Sequence, residues 1–408
     1  MIAVKNAYPL TFMLLLLLAA SAKADIQQQT LHYLNKVRDT AGMVAFQPNA
    51  QLQRAASGHA RYLIKNQQWD HHQRPGSPGF TGVKPLQRIL AAGYNNRHIS
   101  ENISSHQGSG SPLKSIDGLM SAIYHRFAFL SFDHDEIGIG YAEDSKNQAY
   151  VYNMGNSSKR DFCAYPEKLK PVSEYIYLIC AIEDTQLNSS IYDETIKRDR
   201  KRNPGFVVWP GDKSTGIPPA FYEESPDPLP NIDVSGYPVS IQFNPGYYPQ
   251  APRIKRFELF RMPDREPVRL AASFDEQRDP HQKFTAHEFA IFPLYRLNWN
   301  TVYQAEVDMV NHTGHQQTVS WQFRTHAFPG QLHHVLGGET IRAEQSLVYV
   351  YAPPASHQDG AAELLLSYRG FVDVQVEMFD AHTLMINASG NSGQAVFNFH
   401  GRQFRLVR

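Results

Sequence analysis

The hydrophobic period changes along this 408-residue chain, so one uniform architecture cannot accommodate both parts. Up to about residue 156, apolar residues recur every three or four positions, the spacing of a helix laid on a core. Asn49 suits the cap of such a helix, followed on one face by Leu52, Ala55, Ala56, His59, Ala60 and Leu63. Pro85 opens a shorter helix through Leu86, Ile89 and Leu90, and Gly93 closes it. Ser111-Pro112 starts a third, whose stripe of Leu113, Ile116, Met120, Ile123, Tyr124 and Phe127 predicts one continuous helix. Two strand-like runs follow, Ile137 to Tyr141 and Ala149 to Tyr152. From Tyr237 onward the period falls to two, in short turn-bounded segments such as Val239–Phe243, Phe257–Phe260, Tyr303–Val307 and Trp321–Phe323. Between these regimes lie a charged run, Ile196 to Arg202, and six prolines from Pro210 to Pro230, which predict an extended linker. The expected fold class is therefore α+β: a mixed domain over 25–185, a Pro-rich linker over 186–234, an all-β sandwich over 235–328 and a smaller all-β module over 329–408.

The N-terminus decides the compartment. Lys5 precedes an apolar run from Leu10 to Ala20, and Ala22-Lys23-Ala24 supplies the small-x-small pattern read by signal peptidase, so residues 1–24 are expected to be removed on export. The run has about half of the roughly 20 residues a membrane span needs, and no later segment reads as a transmembrane helix. A secreted or periplasmic, oxidising location makes a disulfide between Cys163 and Cys180 the expected state of the two cysteines, a staple across a hairpin. Thirty-nine basic side chains balance 39 acidic ones, which leaves no electrostatic footprint for nucleic acid. The basic run before the prolines reads as a solvated face.

Short motifs in the first region occur in register: Asn35 and Arg38 with Gly42; Leu52, Ala55 and His59-Ala60; His71-His72; Ala92-Gly93-Tyr94; Glu101-Asn102-Ile103; Leu119-Met120-Ser121 with His125-Arg126; and Glu136 to Gly140. In this order they resemble the bacterial, SCP-like branch of the CAP superfamily, the domain shared by cysteine-rich secretory proteins, antigen 5 and pathogenesis-related proteins. The segment from Tyr303 to Thr325 resembles the closing strands of bacterial immunoglobulin-like or fibronectin-like modules. The CAP resemblance implies an α-β-α sandwich with a cleft lined by two histidines and up to two acids. Carried over by motif, these are His72, Glu101 and His125, while Ala122 stands where many eukaryotic members have a second glutamate.

Two imidazoles and one carboxylate are the minimum for a catalytic zinc centre with an open position, so zinc or another divalent metal at His72, His125 and Glu101 is one expectation. The opposing one is a carboxylate that holds its loop and histidines that satisfy polar neighbours. His59, on an apolar helix face, reads as a core histidine bonded to a carbonyl. Arg126 reads as an anchor for Asp39 or Glu136, and Asp133-His134-Asp135-Glu136 as a solvated turn. Ser121 lies one turn from His125, but the chain contains no Gly-x-Ser-x-Gly elbow. With the acidic pair incomplete, a lipid-like or peptidic ligand held at the cell envelope is favoured over catalysis. The alternatives are a metal- or His/Glu-dependent hydrolase, or an adhesive protein working through its β modules and an envelope component.

Overall fold

The computed structural model describes residues 25–107, 111–166, 174–344, 346–360 and 364–408. The expected signal peptide, residues 1–24, lies outside them. No helix among the described residues is long and apolar enough to cross a membrane. The chain divides into two units, one holding the residues up to Trp209 with Ile241–Arg253 and Asn311–Gly314, the other holding the rest.

The first unit opens with α1 over residues 25–40. Its Arg38 is fully buried, donating from Nε to Val44 O at 2.8 Å and from Nη1 to Phe129 O at 2.6 Å, with its guanidinium 3.9 Å from the centre of the Phe46 ring. The central sheet runs β1 (Gln47–Pro48), β3 (Glu136–Glu143), β4 (Asn147–Gly155) and β2 (Ser100–Gln107), with β1 parallel to β3 and the other pairs antiparallel. Helix α2 (Ala50–Asn66) begins as its sequence predicts: Asn49 Oδ1 accepts from the Gln51 and Leu52 amides at 3.0 and 3.1 Å. It lies against β3 at glycine positions, where a Cβ on Gly138 would sit 2.0 Å from Gln53 N and one on Gly140 2.2 Å from the Ala56 carbonyl group. Strand β4 then separates two layers. Its Ala149 and Val151 pack with Ala56, Ala60 and Leu63 of α2. Tyr152, pointing the other way, hydrogen-bonds Ser115 of α4 (Pro112–Ser121) at 2.7 Å and meets Phe129 of α5 (Ile123–Phe129) edge-on. That is an α-β-α sandwich, with α3 (Pro85–Ala91) added beside α2 through Ile89 and Tyr94.

The helix predicted to run from Ser111 through Phe127 is broken. Ala122 takes an extended conformation, φ −77° and ψ 114°, and ends α4 before α5 starts. The carbonyl of Met120 accepts instead from the buried Arg126 Nε at 2.6 Å. A long apolar stripe does not reveal such a break, because the side chains on both sides of it still face the same core.

The expected linker is also structured. After α6 (Ser157–Ala164) and the short pair β5 (Tyr175–Ile176) and β6 (Leu187–Asn188), a helix α7 occupies Ser189–Arg200, capped by Asn188. Tyr192 and Ile196 of α7 join Ile179, Cys180 and Leu187 in a small core. The Cys163–Cys180 disulfide is formed, but it ties α6 to the segment after β5 rather than bridging a hairpin. Strand β7 (Phe206–Trp209) follows beside Ile241 and Phe243, both completely buried. The charged run is therefore a helical face: Arg200 binds Asp133 through Nε at 2.8 Å and Nη2 at 2.9 Å, and Arg202 lies 3.6 Å from Asp135.

The second unit is all β. Strand β8 (Ser214–Ile217) runs parallel to β17 (Gln316–Thr325) at the edge of a five-stranded sheet continued by β16 (Val302–Val310), β12 (Arg253–Arg261) and β13 (Glu266–Pro267). Strands β9 (Ala220–Phe221) and β10 (Ser235–Gly236) pair, as do β14 (Leu270–Phe274) and β15 (Glu288–Pro293); β11 (Val239–Phe243) lies between β10 and β12 in the chain. Burial alternates strictly along β16, the signature of a strand with one face on a core. The C-terminal sheet comprises β18 (Leu332–His334), β19 (Thr340–Arg342), β20 (Leu347–Tyr351), β21 (Leu364–Asp380), β22 (Thr383–Phe399) and β23 (Arg402–Val407), around a core that includes Val350, Ile386, Phe397 and Phe404. This sheet thus has a core of its own.

Candidate functional site

The site begins with one buried acid. Glu101 lies on β2 directly opposite Asn153 of β4, and its side chain is 1% exposed. A lone carboxylate there requires compensation, and three elements converge to supply it. Arg88 of α3 places Nη2 2.8 Å from both carboxylate oxygens. His71, on the loop after α2, brings Nδ1 to Oε1 at 3.0 Å. The Asn153 amide, oriented with nitrogen toward the acid, donates to Oε2 at 2.9 Å. His59 completes the ring of groups with Nε2 3.9 Å from Oε1. A carboxylate has about four lone-pair positions, and these contacts fill them.

The neighbours are held in turn. Arg88 Nη1 donates to the carbonyls of His71 and Val83 at 2.9 and 3.2 Å, which fixes the loop that carries His71. His59 donates from Nε2 to Asp70 O at 3.1 Å, while its Nδ1 accepts from Gln73 Nε2 at 2.9 Å. That is a neutral, fully satisfied core histidine, as its place on an apolar face suggested. Burial, assisted by the Arg88 charge, pushes the His59 pKa down to about 4 even though Glu101 pulls the other way. For Glu101, burial opposes ionisation, but the His71 hydrogen bond and the Arg88 charge outweigh it and hold the carboxyl below the usual carboxylate range.

The contacts of Glu101 differ from the predicted set. The ring that meets Glu101 is His71, not His72. His72 is more than half exposed, and its Nδ1 faces Asp70 Oδ1 at 3.3 Å in a local turn. His125, half-buried on α5, is tied to the same strand through its backbone: its carbonyl accepts from Asn102 Nδ2 at 2.9 Å. Ala122 is buried at the break between α4 and α5, and Ser121 Oγ bonds back to Gly118 O at 2.6 Å. The sequence motifs assign no role to His71, Arg88 or Asn153. Adjacent histidines cannot be ranked by spacing, and the only sequence sign of Arg88 is that a buried glutamate requires a cation. Arg126 sends Nε to Met120 O, whereas Glu136 is held by Arg160 Nη2 at 3.0 Å, Tyr94 OH at 3.1 Å and Asn49 Nδ2 at 3.2 Å.

The run from Asp133 to Glu136 is a charge nest and not a solvated turn. Asp133 holds Arg200, and Asp135 accepts from Ser157 N at 2.8 Å and Ser157 Oγ at 2.6 Å at the start of α6. His134 is pushed down to about 3 by burial. These acids are consumed in docking α6 and α7 onto the sandwich.

Geometry leaves one group of the site outward. With Nδ1 donating to Glu101, a neutral His71 ring has its lone pair on Nε2, and its side chain is 38% exposed. The arrangement can therefore accept a hydrogen bond from a ligand hydroxyl or amide, with a tautomer fixed by the buried acid behind it.

Residues 31–154 match the family profile CAP, the Cysteine-rich secretory protein family. Among solved structures, the chain is similar to an extracellular SCP-domain protein of Bacillus anthracis at 19% identity, over 33% of this chain and 41% of that one, with a TM-score of 0.29. It is similar to an outer surface protein of Borrelia burgdorferi at 17% identity, over 32% of this chain and 92% of that one, with a TM-score of 0.27. The chain thus spans less than half the length of the Bacillus protein. No curated protein matches it. The motifs in register, the α-β-α sandwich and the family match together identify residues 31–154 as a CAP domain of the cysteine-rich secretory protein family.

Proposed function

We propose that this is an exported binding protein whose CAP domain uses the face around His71 and His72 to hold a lipid-like or peptidic ligand at the cell envelope. The observation that carries the reading is the saturation of Glu101: Arg88, His71 and Asn153 occupy its lone pairs, so it has none to spare for a water proton or a metal ion. A general base must reach the proton it takes, and a zinc ligand must offer a bare oxygen. An acid neutralised by arginine orients its histidine and does neither. Export is supported by the Leu10–Ala20 run with Ala22-Lys23-Ala24 and by the Cys163–Cys180 bond.

A second reading rests on the same hydrogen bond. A histidine oriented by a buried carboxylate is half of a proton-transfer dyad, which would make the protein an envelope hydrolase. One experiment separates the two. The full chain without residues 1–24 is incubated with envelope lipid extract and with envelope peptides, reisolated, and examined by native mass spectrometry. The binding reading expects an intact ligand at one per chain, lost at least tenfold in the His71→Ala/His72→Ala double variant. Cleaved products formed by the wild type and absent with His71→Asn would replace it with the hydrolase.

A further inference from the structure

The second unit contains a cluster that the CAP domain does not explain. Asp359, His382 and His400 come from the loop after β20, the turn between β21 and β22, and the turn between β22 and β23, and their candidate donor atoms all lie within 4.8 Å of one another. His382 is fully buried, and its ring stacks on His400 with centroids 4.1 Å apart.

Protons are the difficulty. His382 faces Ala352 O at 3.0 Å through Nδ1 and the Asp359 carbonyl through Nε2. His400 faces Asp359 Oδ1 at 3.1 Å through Nδ1 and Ala381 O at 2.7 Å through Nε2. All four partners are acceptors, yet two neutral imidazoles bring only one N–H each. Two ring nitrogens are therefore left with lone pairs directed at oxygen. Two protons would resolve this only by stacking two imidazolium rings at contact distance beside a single carboxylate. One divalent cation resolves it with a single ion.

We propose that Asp359, His382 and His400 form a binding site for a divalent first-row transition metal. Nε2 of His382, Nδ1 of His400 and the Asp359 carboxylate are the ligands, with the Asp359 carbonyl beside them. The outer nitrogens donate to Ala352 O and Ala381 O, the backbone anchoring that orients metal-binding histidines. Two imidazoles and a carboxylate suit zinc, copper or nickel rather than calcium or magnesium. Ligand atoms around tetrahedral zinc lie about 3.3 Å apart, comparable to the 3.1 Å between His400 Nδ1 and Asp359 Oδ1. The loop is fixed in place: the His357 carbonyl accepts from Asp233 N and Val234 N at 2.7 and 3.0 Å, and a Cβ on Gly360 would meet Asp233 Cβ at 2.7 Å.

The test is zinc titration of the metal-free full chain without residues 1–24, in competition with a chromophoric chelator, alongside Asp359→Asn, His400→Gln and His72→Ala. Cu(II) loaded into the wild type supplies a paramagnetic signature. The expected result is one zinc per chain, affinity reduced at least thirtyfold in Asp359→Asn and His400→Gln and unchanged in His72→Ala, with Cu(II) coupled to two imidazole nitrogens. Zinc bound equally well by Asp359→Asn and His400→Gln would overturn the assignment. So would a folded wild-type chain that takes up no zinc.

Discussion

Glu101 shows how a residue recognised by motif acquires its meaning from neighbours that the motif does not name. Replacing it with Gln removes the charge that compensates the buried Arg88, and breaking one side of a buried pair costs about 3 kcal/mol or more. Urea unfolding of Glu101→Gln is expected to show that loss, and a midpoint like the wild type's would contradict the clamp. His59 adds a pH dependence with a definite sign. Its folded pKa of about 4 lies below the ordinary histidine value of 6.5, so the unfolded chain binds the proton first as acid is added. Its stabilisation is complete above pH 6.5 and drains as the pH falls toward 4, by about 3 kcal/mol in all. Glu101, also shifted down, acts in the same direction at lower pH, below the ordinary glutamate value of 4.5. A His59→Gln chain should therefore lose less stability between about pH 7 and pH 4.5 than the wild type, whatever its stability at neutral pH. Equal slopes would remove His59 from the account.

At the scale of elements, helix α2 and strand β3 meet so closely that only glycine fits between them. Gly140→Ala places a methyl group into the Ala56 carbonyl of α2, backbone against which nothing flexible can yield, and the cost is expected at the upper end of the overpacking range, about 3 kcal/mol. A thermal melt that shifted by less than a few degrees would show that the contact is looser than described. The disulfide acts on a different pair of elements. Its loop spans 17 residues, for which the chain-entropy estimate is about 3 kcal/mol. Cys163→Ser/Cys180→Ser should make α6 and the segment around β5 exchange amide hydrogens faster while leaving α2 and the central sheet protected, and uniform protection would refute a local role. Helix starts were legible where a side chain performs the capping, as at Asn49 and Ser111. The break at Ala122 was not, because it depends on Arg126 arriving to take the Met120 carbonyl.

At the scale of the molecule, the expected boundary after Val234 cuts through structure. Ile241 and Phe243 are fully buried in the first unit, and Asn244 Nδ2 donates to Arg200 O at 2.7 Å and Pro204 O at 2.9 Å. A chain ending at Val234 should consequently unfold with reduced cooperativity and be cleaved by protease near α7, and a sharp wild-type-like transition would restore the linker reading. By itself, the sequence determined whatever depends on local periodicity and on short-range chemistry: helices then strands, the capping of α2, the pairing of Cys163 with Cys180, the CAP motifs in register, and the satisfied state of His59. Tertiary structure decided everything that depends on a partner distant in the chain: that His71 and not His72 meets Glu101, that Arg88 and Asn153 fill its remaining lone pairs, that the charged run before the prolines is a helix docked on Asp133, and that Asp359 joins His382 and His400. The physical reason is that burial makes an unpaired charge or lone pair costly, and the group that satisfies it is chosen by proximity in space, which periodicity along the chain does not encode.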